Sequence, residues 1–336
     1  MMADRFEQAL TLEFLQEVPD DFLAHDPEGA SFYQAFHRAR VDGFDLGCLR
    51  VFRDGRPVST VPYFVMKFPV STMLPEGWLK RLLAPVRFAI ACVGHPSADC
   101  GRIHGELSAE VLHLVNDALA QHAALVCYKG FGPDLPLSGF VRVRGLPIPV
   151  LTVTSEYWAK LGSRKRNDLK RKLKSSANLR FEEADGLLEV YIDRVLELYW
   201  QTHERAEIQF ERLNRAYFVE TAPMSKYLLF FEGDLLIGFA QILCGHGRMV
   251  HKYVGMDYAR NRQYRLYFAL FMKAIDVCIR DGLTELDWGV TAYEFKRYLG
   301  SSLHDTWVYY RHRNPLLNWL LARFGFLLEP TEAELR

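Results

Sequence analysis

Several signatures that would announce a function are missing from this chain. Its six cysteines, at positions 48, 92, 100, 127, 244 and 278, form no CxxC pair, so no redox dithiol or zinc ribbon is indicated. A chain of 336 residues also needs no disulfide framework, and this cysteine usage suits a reducing cytoplasm, the expected location. Charge of one sign is not in excess: Lys plus Arg number 41 and Asp plus Glu number 41, so no global field draws the chain onto nucleic acid or an anionic bilayer. Any polyanion must be met by a local patch. No apolar run approaches the roughly 20 residues of a bilayer-spanning helix; the nearest, residues 315–328, is short and holds Arg323. Residues 1–14 mix acids and bases with apolar residues and lack the apolar core of a secretory leader. Walker loop, HExxH, dinucleotide fingerprint and Ser-His-Asp order are all missing, which leaves NTPases, zinc proteases, dehydrogenases and serine hydrolases without support.

What is present reads as an ordinary folded protein, with 49% hydrophobic and 24% charged residues, and the length favours two domains. The first half predicts a helix over 32–40, a hairpin of strands 46–52 and 58–66 around the turn RDGRP, and a strand over 88–93. A helix over 108–121 with Ser108 as its cap, a strand over 124–128 and a strand pair within 140–153 complete it. The second half repeats that grammar: helices over 156–173 and 187–205, then strands over 227–231, 236–243 and 248–255. A helix over 265–280 closed by Gly282, a strand over 284–288, a short helix, a strand over 306–311 and a terminal helix follow. The repetition predicts a duplicated α/β domain joined within 147–155.

Residues 230–300 hold three linked features: a hairpin with a glycine turn, a strand followed by Asp257 and a long helix ending in Asp281-Gly282, and the pattern D-x-G-x(6)-K-x-x-x-G formed by Asp287, Gly289, Lys296 and Gly300. Together they resemble the catalytic half of the GNAT acyltransferase superfamily. In particular they resemble the tandem group that includes the Fem-type peptidoglycan aminoacyltransferases, and YWAKLGSRKRNDLKRKLKSS resembles the basic helix that opens its second domain. The resemblance implies two tandem GNAT-like domains, 1–150 and a catalytic 151–336, each a mixed, mainly antiparallel sheet flanked by helices. It implies N-acyl transfer to a primary amine from a thioester, acyl-CoA or acyl-carrier protein serving as co-substrate and no cofactor being permanently bound. Aminoacyl-tRNA is the alternative donor, because the glycine-rich pyrophosphate turn usual in GNAT enzymes is here ARNRQYRLYF, without glycine. A GNAT-fold binder without catalysis is the second class of reading.

The site residues expected on these grounds fall into two groups. On the catalytic side, the strand ending in Asp287 delivers it to the carboxyl edge of a sheet, and Tyr293 and Lys296 follow at helical spacing, a phenol beside an ammonium. Alternation along 248–255 puts His251 with Tyr253 on one face and Lys252 with Val254 on the other, His251 being placed to take a proton from the amine near neutral pH. Tyr267, just inside the long helix, could reach a leaving group, although core packing of its ring is the plainer reading. On the donor side, the strand amides of Val254 and Gly255 are candidates for the oxyanion, and Arg260, Arg262 and Arg265 for phosphate at a helix N-terminus. Lys165 belongs to the basic run 164–174, whose apolar stripe of Trp158, Leu161, Leu169 and Leu173 leaves a basic face for phosphates or for solvent. Cys92, His95, Cys100 and His104 are too crowded for a tetrahedral site, so no metal is expected. DNA is not an expected partner. The terminal helix, capped by Asn314-Pro315, is apolar nearly all round, which favours burial against the catalytic domain over peripheral contact with a membrane or a second chain.

Overall fold

The structure is a computed structural model that describes residues 9–69, 77–82, 87–206 and 209–335. Its elements begin with β1 (Leu10–Leu15), α1 (Ala30–Ala39), β2 (Phe44–Arg53), β3 (Arg56–Pro69), α2 (Trp78–Leu82), β4 (Arg87–Val93), β5 (His104–Gly105), α3 (Ala109–His122), β6 (Leu125–Phe131) and β7 (Val141–Arg144). The middle of the chain forms β8 (Ile148–Thr152), α4 (Tyr157–Lys160), α5 (Ser163–Leu173), β9 (Arg180–Asp185), α6 (Glu189–His203), α7 (Arg215–Thr221), β10 (Lys226–Glu232), β11 (Leu235–Gly245) and β12 (Arg248–Met256). The last part forms α8 (Tyr258–Tyr264), α9 (Leu266–Arg280), β13 (Glu285–Asp287), α10 (Tyr293–Leu299), β14 (Ser302–His304), β15 (Trp307–His312) and α11 (Pro315–Phe324).

Local chemistry explains the punctuation. Asp54-Gly55 and His246-Gly247 take left-handed backbone at both positions, the two-residue turn whose twist matches that of the strands it joins. Ser108 caps α3 by accepting the Val111 N–H at 3.4 Å, and Gly282, at φ +67°, ends the run of α9. The helix expected over 156–173 is broken at Leu161–Gly162 into α4 and α5.

The chain divides into two units near the expected join, but not as two contiguous halves. One unit comprises Met1–Phe22, Gly43–Pro147 and Asp305–Leu335; the other comprises Leu23–Asp42 and Ile148–His304. The first holds a sheet in the order β1-β2-β3-β4-β6-β15-β7, with β5 beside β3. All its pairings are antiparallel except β4 with β6, which the α3 crossover joins in parallel. Leu49, Val51, Val61, Ala91, Val93 and Val126 meet α3 on one face, and Ile90, Cys92 and Cys127 line the other, where Leu321 packs. The second unit repeats the plan in the order β14-β8-β13-β12-β11-β10-β9, with β12 and β13 as its parallel pair. There α9 covers one face of the sheet and α6 packs on the other. Both units are therefore mixed, mainly antiparallel sheets flanked by helices.

One expectation fails here. Burial of the terminal helix is not found: α11 has no buried residue, and only Asn318, Leu321 and the following Gly325 turn inward. Among the described residues no helix is long and apolar enough to cross a membrane.

Candidate active site

Strand β12 carries the site, and its alternation is broken once. Tyr253 lies opposite Gln241 and His251 opposite Ile242, so Lys252 is an extra residue with no counterpart, a β-bulge. The bulge overturns the expected sharing of faces. His251 turns to α9, its ring 4.6 Å from that of Phe271 and 5.5 Å from that of Trp288, and Val254 packs on the same side. Lys252 and Tyr253 both turn to the opposite side. There Lys252 donates to Glu28 at 2.7 Å, and the Tyr253 ring stands edge-on to Tyr199 and Tyr217.

Beside the bulge the sheet opens. β13 pairs with β12 only from Arg248 opposite Glu285 to Val250 opposite Asp287, and then leaves. Asp287 fixes this departure: its carboxylate accepts the Gly289 N–H at 3.0 Å and an Arg248 N–H at 2.8 Å, while Gly289 adopts φ +72°. Asp287 is therefore already occupied as a turn-forming, ion-paired group. On the other flank, Asp257 N–H donates to the Ile237 carbonyl at 2.8 Å. Antiparallel alternation then turns the Gly255 N–H towards β11 and the Val254 N–H towards the side that β13 has left. Of the two amides expected to face a ligand, only that of Val254 has the right direction. Gly255 instead permits close packing, since a Cβ there would lie 2.4 Å from the Phe239 ring and 2.6 Å from the Leu198 backbone of α6.

Where β13 departs, buried polar side chains gather. His251 is 4% exposed, Trp288 3% and Lys296 1%. Among the described residues, neither His251 Nε2 nor Trp288 Nε1 has a hydrogen-bond partner, a costly state for buried groups. Lys296 Nζ donates to the Gly289 carbonyl at 2.8 Å and to Thr291 Oγ1 at 3.5 Å. Burial, reinforced by the nearby Lys296 charge, pushes the imidazole of His251 down to about 3. His251 is consequently neutral at physiological pH and is a far weaker base than its type suggests. That corrects the expectation of proton uptake near neutrality. Tyr293 is fully buried one helical turn before Lys296. Tyr267 packs on Phe271 and Phe295 at 4.6 and 5.3 Å, and burial raises its phenol well above the ordinary tyrosine value. Trp288 was not among the expected site residues; its place beside Asp287 at a strand end was the available signal.

The donor side departs further from expectation. The segment read as a turn is helix α8, whose cap, Asp257, accepts the Ala259 N–H at 3.0 Å. Arg260 is held between Glu232 at 2.6 Å and Asp257 at 2.7 Å, so two carboxylates already neutralise it. Arg265 bridges α8 and α9 with left-handed backbone, at φ +52°. Asn261 Oδ1 accepts the Tyr267 N–H at 3.1 Å, occupying an amide of the first turn of α9. Arg262 and Arg265 remain exposed. Lys165 sits over the Tyr298 ring at 5.1 Å, and burial lowers its ammonium below the usual lysine range. Asp168 is held well below the usual carboxylate range by Lys172, Tyr298 and Arg171 together. These contacts dock one side of α5 and leave Arg164, Lys170, Arg171 and Lys174 exposed. In the first unit, His95 Nδ1 accepts the Ser97 N–H at 3.1 Å, so that residue shapes a turn after β4.

Residues 163–297, which contain His251, Val254, Tyr267, Trp288 and Lys296, match the acetyltransferase (GNAT) domain family. The chain carries a GNAT acetyltransferase domain. That domain supports an acyltransferase, and solved structures share the fold. FemX is 12% identical, with a TM-score of 0.55 over 91% of this chain and 96% of that one. L-PGS from Bacillus licheniformis is 11% identical, with a TM-score of 0.52 over 79% of this chain and 85% of that one. At these identities the likeness is one of fold. No curated protein sequence matches the chain.

Proposed function

We propose that this GNAT domain forms an amide by moving an acyl group from an ester or thioester to a primary amine, in the opening between β12 and β13. The observation that carries this reading is the pair of orphaned buried nitrogens, His251 Nε2 and Trp288 Nε1, grouped with Lys296 where β13 leaves β12. A carbonyl held there meets the Val254 N–H and the Trp288 N–H. As the amine nitrogen attacks, negative charge grows on the carbonyl oxygen, and the Lys296 ammonium in its low-dielectric setting stabilises it. The N–C bond forms, the C–O or C–S bond breaks, and a proton from the amine leaves with the departing oxygen or sulfur. His251 orients a partner by hydrogen bond rather than by taking that proton. Tyr267, kept protonated by its burial, can donate a hydrogen bond to the leaving atom.

The geometry around α8 favours an aminoacyl ester carried by tRNA over coenzyme A as donor. Arg260 is neutralised and one first-turn amide of α9 is taken by Asn261, whereas α5 and the turn after it present Arg164, Lys170 and Lys174 as exposed cations beside Arg171, which pairs with Asp168, a footprint suited to an extended polyanion. The thioester reading keeps support from Arg262 and Arg265, exposed beside the start of α9. A donor assay with acyl-CoA, acyl-carrier protein and aminoacyl-tRNA decides between them. Neutralising Lys170, Arg171 and Lys174 should abolish retention of tRNA on a filter at low salt and spare any acyl-CoA turnover. Neutralising Arg262 and Arg265 should do the reverse. If no donor is consumed by folded protein in the presence of varied primary amines, the proposal falls.

A further inference from the structure

Helix α11 and the turn after it present the widest apolar surface among the described residues of the first unit. Its inward face is narrow: Leu321 packs on the sheet, Gly325 is buried against Val141 and Val143, and Asn318 bonds to the Gly139 carbonyl. The outward face is wide. Leu316 is 65% exposed and Trp319 59%, with Leu317, Leu320 and Phe324 beside them. The 3-10 turn that follows adds Phe326 and Leu327, the latter 70% exposed. Apolar side chains packed this densely on an outward surface mark a docking site.

The charge pattern names the occupant. Residues 306–328 contain no Asp or Glu, while Arg311, His312, Arg313 and Arg323 lie within them. Arg313 and Arg323 are exposed at the two ends of α11. A helix lying flat, with tryptophan, phenylalanine and leucine outward and arginines at its borders, matches an interface of acyl chains below and anionic headgroups above. The basic border also explains how a chain of zero net charge could select such a surface, because electrostatic attraction acts within about 10 Å at moderate salt. We infer that α11 and its following turn seat the protein peripherally on an anionic phospholipid bilayer, inserting Leu316, Trp319, Phe326 and Leu327 without crossing it.

The test is co-sedimentation of the full chain with vesicles of phosphatidylglycerol and phosphatidylcholine, against vesicles of phosphatidylcholine alone. Binding to the anionic vesicles is expected to exceed binding to the neutral ones at least tenfold and to weaken as salt is raised. The combined variant Leu316→Ser, Trp319→Ser, Leu327→Ser should lose it with an unchanged melting temperature, since these side chains make little of the core. Arg313→Glu with Arg323→Glu leaves the apolar face whole and should weaken binding to anionic vesicles alone, which keeps the test decisive if the serine variant misfolds. Absence of vesicle binding at low salt would overturn the inference. So would a dimer in sedimentation velocity that the serine variant dissociates while vesicles capture neither form, because a second copy would then cover the face.

Discussion

The two faces of β12 treat polar side chains in opposite ways. On the side of α6 and α7, Lys252 meets Glu28 at 2.7 Å and Tyr253 donates to Glu211. There too Gln241 donates to Thr221 and Ser225 at 2.9 Å while accepting from Tyr217 at 3.1 Å. On the side of α9, His251 and Trp288 hold polar nitrogens with no described partner next to the buried Lys296. One strand, offset by a single bulge residue, thus separates a network in which Lys252, Tyr253 and Gln241 all have partners from a cluster in which the His251 and Trp288 nitrogens have none described. Buried polar groups reveal function by what they leave unmade, since the same residue types fully paired are ordinary architecture.

Four measurements sharpen or break that contrast. The largest effect belongs to the paired face. Glu28→Ala removes the carboxylate from the buried Lys252 and should cost about 3–5 kcal/mol in urea unfolding, with turnover per folded molecule unchanged; a drop in turnover at intact stability would put the active site on the wrong face. Next, Lys296→Met keeps the volume and removes the charge. It should lower kcat by about 10²–10³ with little change in KM or melting temperature. Equal turnover in the variant would remove Lys296 from the chemistry.

The third concerns His251, whose pKa is about 3 in the folded chain against the ordinary 6.5. Because the folded value lies below the unfolded one, the unfolded chain binds the extra proton between these limits. Stability therefore falls as pH drops from 6.5 towards 3, by about 2 kcal/mol at pH 5. His251→Gln should flatten that acid slope, read as melting temperature against pH, whatever it does to stability at pH 7. The smallest effect is Trp288→Phe, which preserves stacking on Phe271 and deletes one N–H; kcat should fall about tenfold. A fall in stability in place of kcat would make the indole a packing residue.

Much of this site was legible in the sequence because its markers are local. Asp287-Trp288-Gly289 at a strand end, the helical spacing of Tyr293 and Lys296, and Gly282 after α9 depend on neighbours a few residues away. The bulge at Lys252 is different in kind. Its cause lies in the pairing with Gln241 and Ile242 and in the pull of Glu28, far away in sequence, so alternation alone put His251 beside Tyr253. Helix α8 could have been foreseen, because Asp257 followed by a run without glycine or proline is a helix-start signal; expecting a phosphate turn there obscured it. The exposure of α11 was not legible, since an all-round apolar helix has the same pattern whether covered or bare.

The exchange of segments between the units has a consequence for synthesis. Strand β15 lies between β6 and β7, yet it follows β7 in the chain by some 160 residues. While the ribosome is still adding the intervening residues, β6 and β7 are complete and carry unsatisfied edges facing a strand that does not yet exist. At about 5–20 residues per second that interval lasts on the order of ten seconds, long for two exposed edges in a crowded cell. The nascent chain is therefore expected to bind whatever shields strand edges. A ribosome-stalled fragment ending before Asp305 should be captured by such holdases, and a longer stalled chain in which residues 307–312 have emerged to close the sheet should not.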